Sequence, residues 1–258
     1  MIDTHSHIYA EEFDADRSEV LERAWSAGVE HLILPDIDSE SRPRMIALAE
    51  AEPERCHAMA GLHPTSVNDN PRWKEELDEV EKLLNNSSVK LCGVGEIGLD
   101  LYWSKDFYRE QREVLHAQLE LALQHNLPVV IHTRSAYDEM LDAVATYRGR
   151  GLRGVFHAYA DSVDMARKLE RLGEFRFGIG GVVTFKNSGL DKVVADLPME
   201  LLVLETDCPY LTPVPHRGKR NESSYVVRVV EKLSEIYALS LDAIADATYR
   251  NACAVFGL

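Results

Sequence analysis

The chain has 258 residues, 45% hydrophobic and 28% charged, the balance of an ordinary folded protein long enough to bury a sizeable core. A formal net charge of −15 argues against a broad basic groove for duplex nucleic acid, but leaves room for a substrate whose charge is met locally by metal ions. Four dispersed cysteines, Cys56, Cys92, Cys208 and Cys253, form no CxxC pair, which argues against a disulfide framework and a zinc knuckle.

Short runs rich in Val, Ile and Leu recur along the chain at Met1–His5, His31–Pro35, His57–Leu62, Leu91–Glu96, Pro128–His132, Gly154–His157, Phe175–Ile179 and Leu201–Glu205. Between them apolar residues fall at helical spacing, as in Val20, Leu21, Ala24 and Trp25, or Val114, Leu115, Leu119, Leu121 and Ala122. Two more helical stretches, about Ser224–Tyr237 and Ser240–Phe256, follow the last run. Alternating strands and helices imply parallel pairing. Eight such units in about 250 residues predict a single α/β domain over residues 1–258, a (β/α)8 TIM-like barrel with an extra C-terminal helix. A doubly wound open sheet is the alternative. The longest irregular stretch is Pro209–Ser223, and long loops of this kind are often functional. No run approaches the ~20 apolar residues of a membrane span. Asp3, His5 and His7 occupy the place of a signal peptide's basic and apolar segments, so the expected compartment is the cytoplasm.

A barrel places its chemistry at the C-terminal ends of its strands. Here the first run ends in His5-Ser6-His7, the third in Gly61-Leu62-His63-Pro64 and the fourth in Gly95-Glu96-Ile97-Gly98. The fifth ends in His132-Thr133-Arg134, the sixth in His157 and the eighth in Glu205-Thr206-Asp207. Residues i and i+2 of a strand share a face, so His5 and His7 can present two imidazoles together. Four histidines, one glutamate and one aspartate, His5, His7, His132, His157, Glu96 and Asp207, thus lie at the ends of five runs. Such groups are expensive to bury unless paired or metal-bound. Two cations need more ligands than three or four side chains supply, and Glu96 is the best candidate for a bridge between them. A His/carboxylate site suits zinc, manganese or iron, and magnesium with more waters.

These motifs resemble those of TatD-type metal-dependent deoxyribonucleases, within the metal-dependent hydrolase superfamily. The resemblance spans nearly the whole chain: IDTHSH at the start, GLHP at 61–64, GEIGLD at 95–100, PVVIHTR at 128–134, ETDCPYLTP at 205–213, RGKRNE at 217–222 and RNACAVFGL at the end. It implies a barrel with two divalent cations, one held by His5, His7 and Asp207, the other by His132 and His157, with Glu96 touching both. It also implies a DNA phosphodiesterase acting at strand ends or on single strands, and sets His63 at the pocket mouth. Two departures stand out. Ala158-Tyr159-Ala160-Asp161 replaces a Cys-Phe-Ser-Gly-like turn, and Ser223 replaces Pro after Glu222.

In this reading Asp207, Glu96 and His63 are the catalytic residues. Asp207 would take a proton from the attacking water, while His63, Arg134, Arg217, Lys219 and Arg220 would position the phosphate. Each substrate contact has a plainer alternative. Arg134 suits a salt bridge as well as a phosphate, and the three cations after the last strand suit a solvated loop. Tyr102 and Trp103 suit packing as well as base stacking. Asp100 is read as organising its loop, His31, His57, His116 and His125 as structural, Cys208 as packing, and His216 is open. Given the charge of −15, DNA is expected to bind weakly and with strong salt dependence. No obligate protein partner is implied. The competing functions are a small-molecule amidohydrolase or esterase on the same barrel and a non-catalytic metal-binding protein.

Overall fold

The computed structural model describes residues 1–258. Its strands are β1 (Ile2–Asp3), β2 (His31–Leu34), β3 (Cys56–Ala58), β4 (Val94–Asp100), β5 (Val129–Arg134), β6 (Arg153–Phe156), β7 (Glu174–Ile179) and β8 (Leu202–Leu204). The intervening helices are α1 (Arg17–Ser26), α2 (Arg42–Ala51), α3 (Pro64–Val67), α4 (Trp73–Asn86), α5 (Tyr108–Gln124), α6 (Tyr137–Ala145), α7 (Val163–Glu170) and α8 (Leu190–Ala195). Then come α9 (Val226–Tyr237) and α10 (Leu241–Phe256). Residues 209–222 hold no helix or strand, as expected of that stretch.

All pairings are parallel, in the orders β1-β2-β3 and β4-β5-β6-β7-β8. Two seams join these arcs into a ring. Between β3 and β4, Cys92 N donates to Ala58 O at 2.9 Å, Gly95 N to Ala60 O at 2.9 Å, and Ala60 bridges Val94. Between β8 and β1, Thr4 N donates to Leu204 O at 2.9 Å and Ser6 bridges Cys208. First and last strands of an open doubly wound sheet would not meet, so that alternative falls.

One run needs correction. The strand at Leu91–Glu96 starts at Val94 and continues to Asp100, so Glu96 lies within β4 rather than at its end. It sits where the register against β5 shifts, between Val94 and Ile97. Two glycines, Gly95 and Gly98, interrupt the apolar pattern that would have marked this strand's true extent.

The core is split by the barrel wall. A large cluster, with Leu34, Ile97, Leu115, Ile131 and Phe177 among its members, packs strands against helices. A smaller one fills the N-terminal end of the barrel with Ile2, Ile33, Met59, Cys92, Val130, Val155 and Val203, and Ala252, Val255 and Phe256 of α10 plug it from below. Ser240 caps α10 by accepting from Ala243 N at 3.2 Å, and Gly257 ends it in the left-handed region at φ 71°. With one end plugged, the other is left for chemistry.

Candidate metal centre

Strand parity carries the polar residues inward. On β5, on β6 and on β8 the inward valine is followed two residues later by a polar group at the open end: Val130 by His132, Val155 by His157, Val203 by Glu205. Asp207 follows Glu205 with a left-handed backbone, φ 54°, a conformation Asp tolerates better than most residues. Its N–H donates to His5 O at 2.9 Å. Buried Asp3 accepts from Thr206 N at 2.9 Å and Thr206 Oγ1 at 2.6 Å, which fastens the His5 segment to the Asp207 segment.

At the centre lies Glu96, 3% exposed. One carboxylate oxygen, Oε2, lies 3.1 Å from His5 Nε2 and 3.7 Å from His7 Nε2. The other, Oε1, lies 2.8 Å from His157 Nε2, 2.9 Å from His132 Nδ1 and 3.3 Å from His63 Nε2. Asp207 Oδ1 completes the first group at 3.4 Å from His7 and 3.8 Å from His5. All six expected ligand residues are therefore brought together, with His63 beside them. No lysine or arginine comes within 4 Å of Glu96 or Asp207; their charged neighbours are all imidazoles. Imidazole nitrogens crowd one another, His5 Nε2 on His7 Nε2 at 3.1 Å and His132 Nδ1 on His157 Nε2 at 3.4 Å. A buried and a part-buried carboxylate facing converging imidazole nitrogens, with no fixed cation, is a donor set that fits divalent metal.

Tautomers separate His63 from His7 and His132. His7 Nδ1 meets Tyr9 OH at 2.9 Å, and that hydroxyl donates to Pro35 O, so His7 Nδ1 carries the hydrogen and Nε2 keeps its lone pair. His132 Nε2 meets Asp100 Oδ2 at 3.0 Å, which frees Nδ1. His157 Nδ1 faces Glu205 Oε1 at 3.7 Å, beyond hydrogen-bond reach, and turns Nε2 toward Glu96. At the N-cap of α3, by contrast, His63 Nδ1 accepts from Thr65 N at 3.1 Å. Its Nε2 then carries the hydrogen and points at Glu96 as a donor, not as a ligand.

Electrostatics follow from burial against this crowding. Burial pushes the Glu96 carboxyl up, but His157, His5 and His63 outweigh it and hold it well below the usual range. Asp207 is likewise raised by burial and brought down further by His7, His157 and His5. Burial disfavours the charged form of His157 too, yet Glu96 and Glu205 hold it well above the ordinary histidine value. Burial wins at His5 and His63, which are lowered. Both Glu96 and Asp207 are thus ionised at neutral pH.

Two residues carry more than their motifs suggested. Asp100 orients His132 as well as its own loop, where it accepts from Tyr102 N at 3.0 Å. Glu205, 1% exposed, accepts from Ala158 N at 2.7 Å, and its Oε2 has no hydrogen-bond partner. It fits because the strand beside it carries Gly178; any Cβ there would collide with Oε2. Glu205 shares strand parity with Asp207, a signal present in the sequence.

The centre opens into a cleft of about 1290 Å³. Arg134 lines it, with Trp103. Tyr102 and Trp103 are exposed rather than packed inside, and Arg134 Cζ lies 3.8 Å over the Tyr102 ring and makes no salt bridge. Glu11, Glu12, Asp38 and Glu40 line other parts of the cleft. The three cations after β8 need correction. None of Arg217, Lys219 and Arg220 lines the cleft; Tyr210 and Leu211 do so instead. Arg220 is paired with Asp16 at 2.7 Å, and Arg217 lies 3.8 Å over the Phe185 ring. Lys219 is exposed, outside the cleft. The remaining histidines stay apart from the centre: His31 and His57 bond each other at 3.0 Å, His116 bonds Tyr147, and His216 stacks on Tyr225. Cys208 is buried beside Ser6 and Ser223, as expected of a packing residue.

A closed parallel barrel with a His/carboxylate cluster at its open end defines a metal-dependent hydrolase. The chain belongs to the family described as TatD related DNase, which matches residues 2–257. The metal-dependent hydrolase YabD of Bacillus subtilis is 36% identical over 99% of this chain and 98% of its own length. The crystal structure of YjjV, a TatD homologue from Escherichia coli, is 32% identical and superposes with a TM-score of 0.91, covering 100% of this chain and 98% of that one. A TatD family hydrolase from Entamoeba histolytica, 21% identical with a TM-score of 0.85 over 99% of this chain and 97% of that one, shares the fold. No helix is long and apolar enough to cross a membrane.

Proposed function

We propose that this chain is a deoxyribonuclease that hydrolyses phosphodiester bonds at strand ends or in single-stranded DNA, using two divalent cations. The observation that carries the reading is Glu96, whose two oxygens face two different donor groups. One cation would be held by His5, His7, Asp207 and Glu96 Oε2, the other by His132, His157 and Glu96 Oε1. Zinc, manganese and magnesium are the candidates. Such a pair supplies Lewis acidity toward the phosphoryl oxygens and lowers the pKa of water.

The protein's own groups do the rest. Of the two carboxylates, Asp207 keeps more access to the cleft, 14% of its side chain against 4% for Glu96, and it accepts the proton of the attacking water. His63 Nε2–H, which faces Glu96 Oε1 at 3.3 Å, would turn to a phosphoryl or leaving oxygen once cations take up that carboxylate. Arg134, with no carboxylate in salt-bridge contact, receives a phosphate on the edge of its guanidinium. Burial of the cluster at the foot of a cleft favours a strand end or single strand over a duplex, and the acidic lining keeps DNA affinity low and salt-dependent.

The test is a panel of labelled DNA, RNA, small esters and amides, run with zinc, manganese and magnesium. Metal-dependent release of nucleotides from DNA is expected, and Asp207→Asn should slow it by ~10²-fold or more. Turnover confined to small esters or amides would replace this reading with the small-molecule hydrolase.

A further inference from the structure

We propose that Trp103, braced by Tyr102 and Arg134, is a stacking subsite for one unpaired nucleobase, set beside the phosphate position at the metal centre. The inference deepens the nuclease reading and takes its ligand class from it.

Trp103 is 68% exposed and Tyr102 56% exposed, in a chain whose other tryptophans, Trp25 and Trp73, are partly buried against the core. Large aromatic surface left in water is costly and needs a reason, particularly in a cleft. The pair is held in place rather than loose. Tyr102 N donates to Asp100 Oδ1 at 3.0 Å, and the same carboxylate orients His132 through Oδ2. The rings meet edge to face, with centroids 5.0 Å apart and planes at 85°. Arg134 Cζ stacks on Tyr102 at 3.8 Å and lies 5.3 Å from the centre of Trp103. Arg134 thus stacks on Tyr102 while Trp103, which lines the cleft, keeps most of its surface open to solvent.

Charge gives the direction. Two cations line the cleft, Arg44 and Arg134. Arg44 is neutralised by Asp14 at 2.7 Å and Glu11 at 3.4 Å, next to Glu12 and Glu40. Arg134, two residues beyond His132, makes no salt bridge, with only Asp100 near its charge. A polyanion is repelled from the acidic side and drawn to the side where Arg134 and Trp103 stand together. A cation for the phosphate with an adjacent open ring for the base is the pairing that single-strand binders use, and stacking is tolerant of base identity. A paired base has its faces covered by neighbours in the duplex, so the subsite also selects against duplex.

The test uses two probes, a deoxyadenosine hexamer and a hexamer of the same sugar-phosphate backbone without bases, titrated into chelated protein so that nothing is cleaved. Trp103→Ala should bind the deoxyadenosine hexamer about 5- to 100-fold more weakly than wild type, the span expected for one stacked base. Trp103→Phe should recover most of the loss. On the abasic hexamer the ratio of wild type to Trp103→Ala should fall toward one. Equal binding of the deoxyadenosine hexamer by Trp103→Ala and wild type, an equal loss on both probes, or no binding by wild type would each overturn the subsite. A hexamer that binds through Trp103 but is never hydrolysed by metal-loaded protein would refute the nuclease reading and leave the subsite standing.

Discussion

The two ends of this barrel both gather histidines, and they do different things with them. At the open end five imidazoles surround Glu96; two are hydrogen-bonded on the far nitrogen, to Tyr9 and Asp100, and a third faces Glu205 at 3.7 Å. At the plugged end His31 Nδ1 meets His57 Nε2 at 3.0 Å, with Tyr249 of α10 nearby and no carboxylate within salt-bridge distance of either ring. Without an anion to share, two histidines settle into a single hydrogen bond. With a buried carboxylate between them, the same residue type becomes a set of lone pairs aimed at a common point. The anion, more than the number of histidines, makes the difference.

The sharpest way to break this contrast is to remove the anion. Glu96→Ala should lose most of both cations from protein loaded with excess zinc or manganese, measured as metal per chain, because both donor groups share that carboxylate. Two ions retained at full affinity would end the bridge.

Next in size is the division among the five histidines at the open end. His132→Ala should lose a metal ion, whereas His63→Ala should keep its metal content while turnover drops ~10²-fold, as for loss of a donor to the developing charge. Metal loss from His63→Ala would make it a ligand and undo the tautomer argument.

Smaller effects are expected behind the ligands. Asp100→Asn and Glu205→Gln should each weaken metal binding about 10- to 100-fold in competition with a chelator, since each turns a ring without touching the ion. Unchanged affinity in both would reduce them to packing.

The smallest effect belongs to the plugged end. Burial, followed by the charges of His31 and Lys90, pushes His57 down to about 4. An unfolded histidine titrates near 6.5, so between about 6.5 and 4 the unfolded chain holds more protons than the folded one. The contribution is complete above that window and is lost as pH falls through it. His57 is only part-buried, so the loss should be about 1 kcal/mol after allowing for solvent screening. Urea melts at pH 7.5 and 4.5 should show wild type losing about that much more than His57→Gln; identical losses would mean the pair does not report pH.

What was readable in the sequence follows the same divide between local and distant causes. Strand parity and the ends of apolar runs are local, and they marked His5, His7, His132, His157 and Asp207 before any fold was known. The extent of β4 was hidden because Gly95 and Gly98 carry no side chain to register a period. Arg220 looked like a cation available to substrate because its partner, Asp16, is 204 positions away in the chain. Glu205 was within reach of parity, but its depth depends on Gly178, a neighbour only across the sheet.

The seam between β1 and β8 has a consequence for how the chain is made. Asp3 and Thr206 meet across 203 positions, so the ring closes only by joining segments that leave the ribosome far apart in time. Contacts of such separation are entropically costly and form slowly. His5 and His7 emerge long before Asp207, and their group is incomplete until Asp207 has been synthesised and docked beside them. A nascent chain therefore lacks that donor group until its last strand has joined the ring.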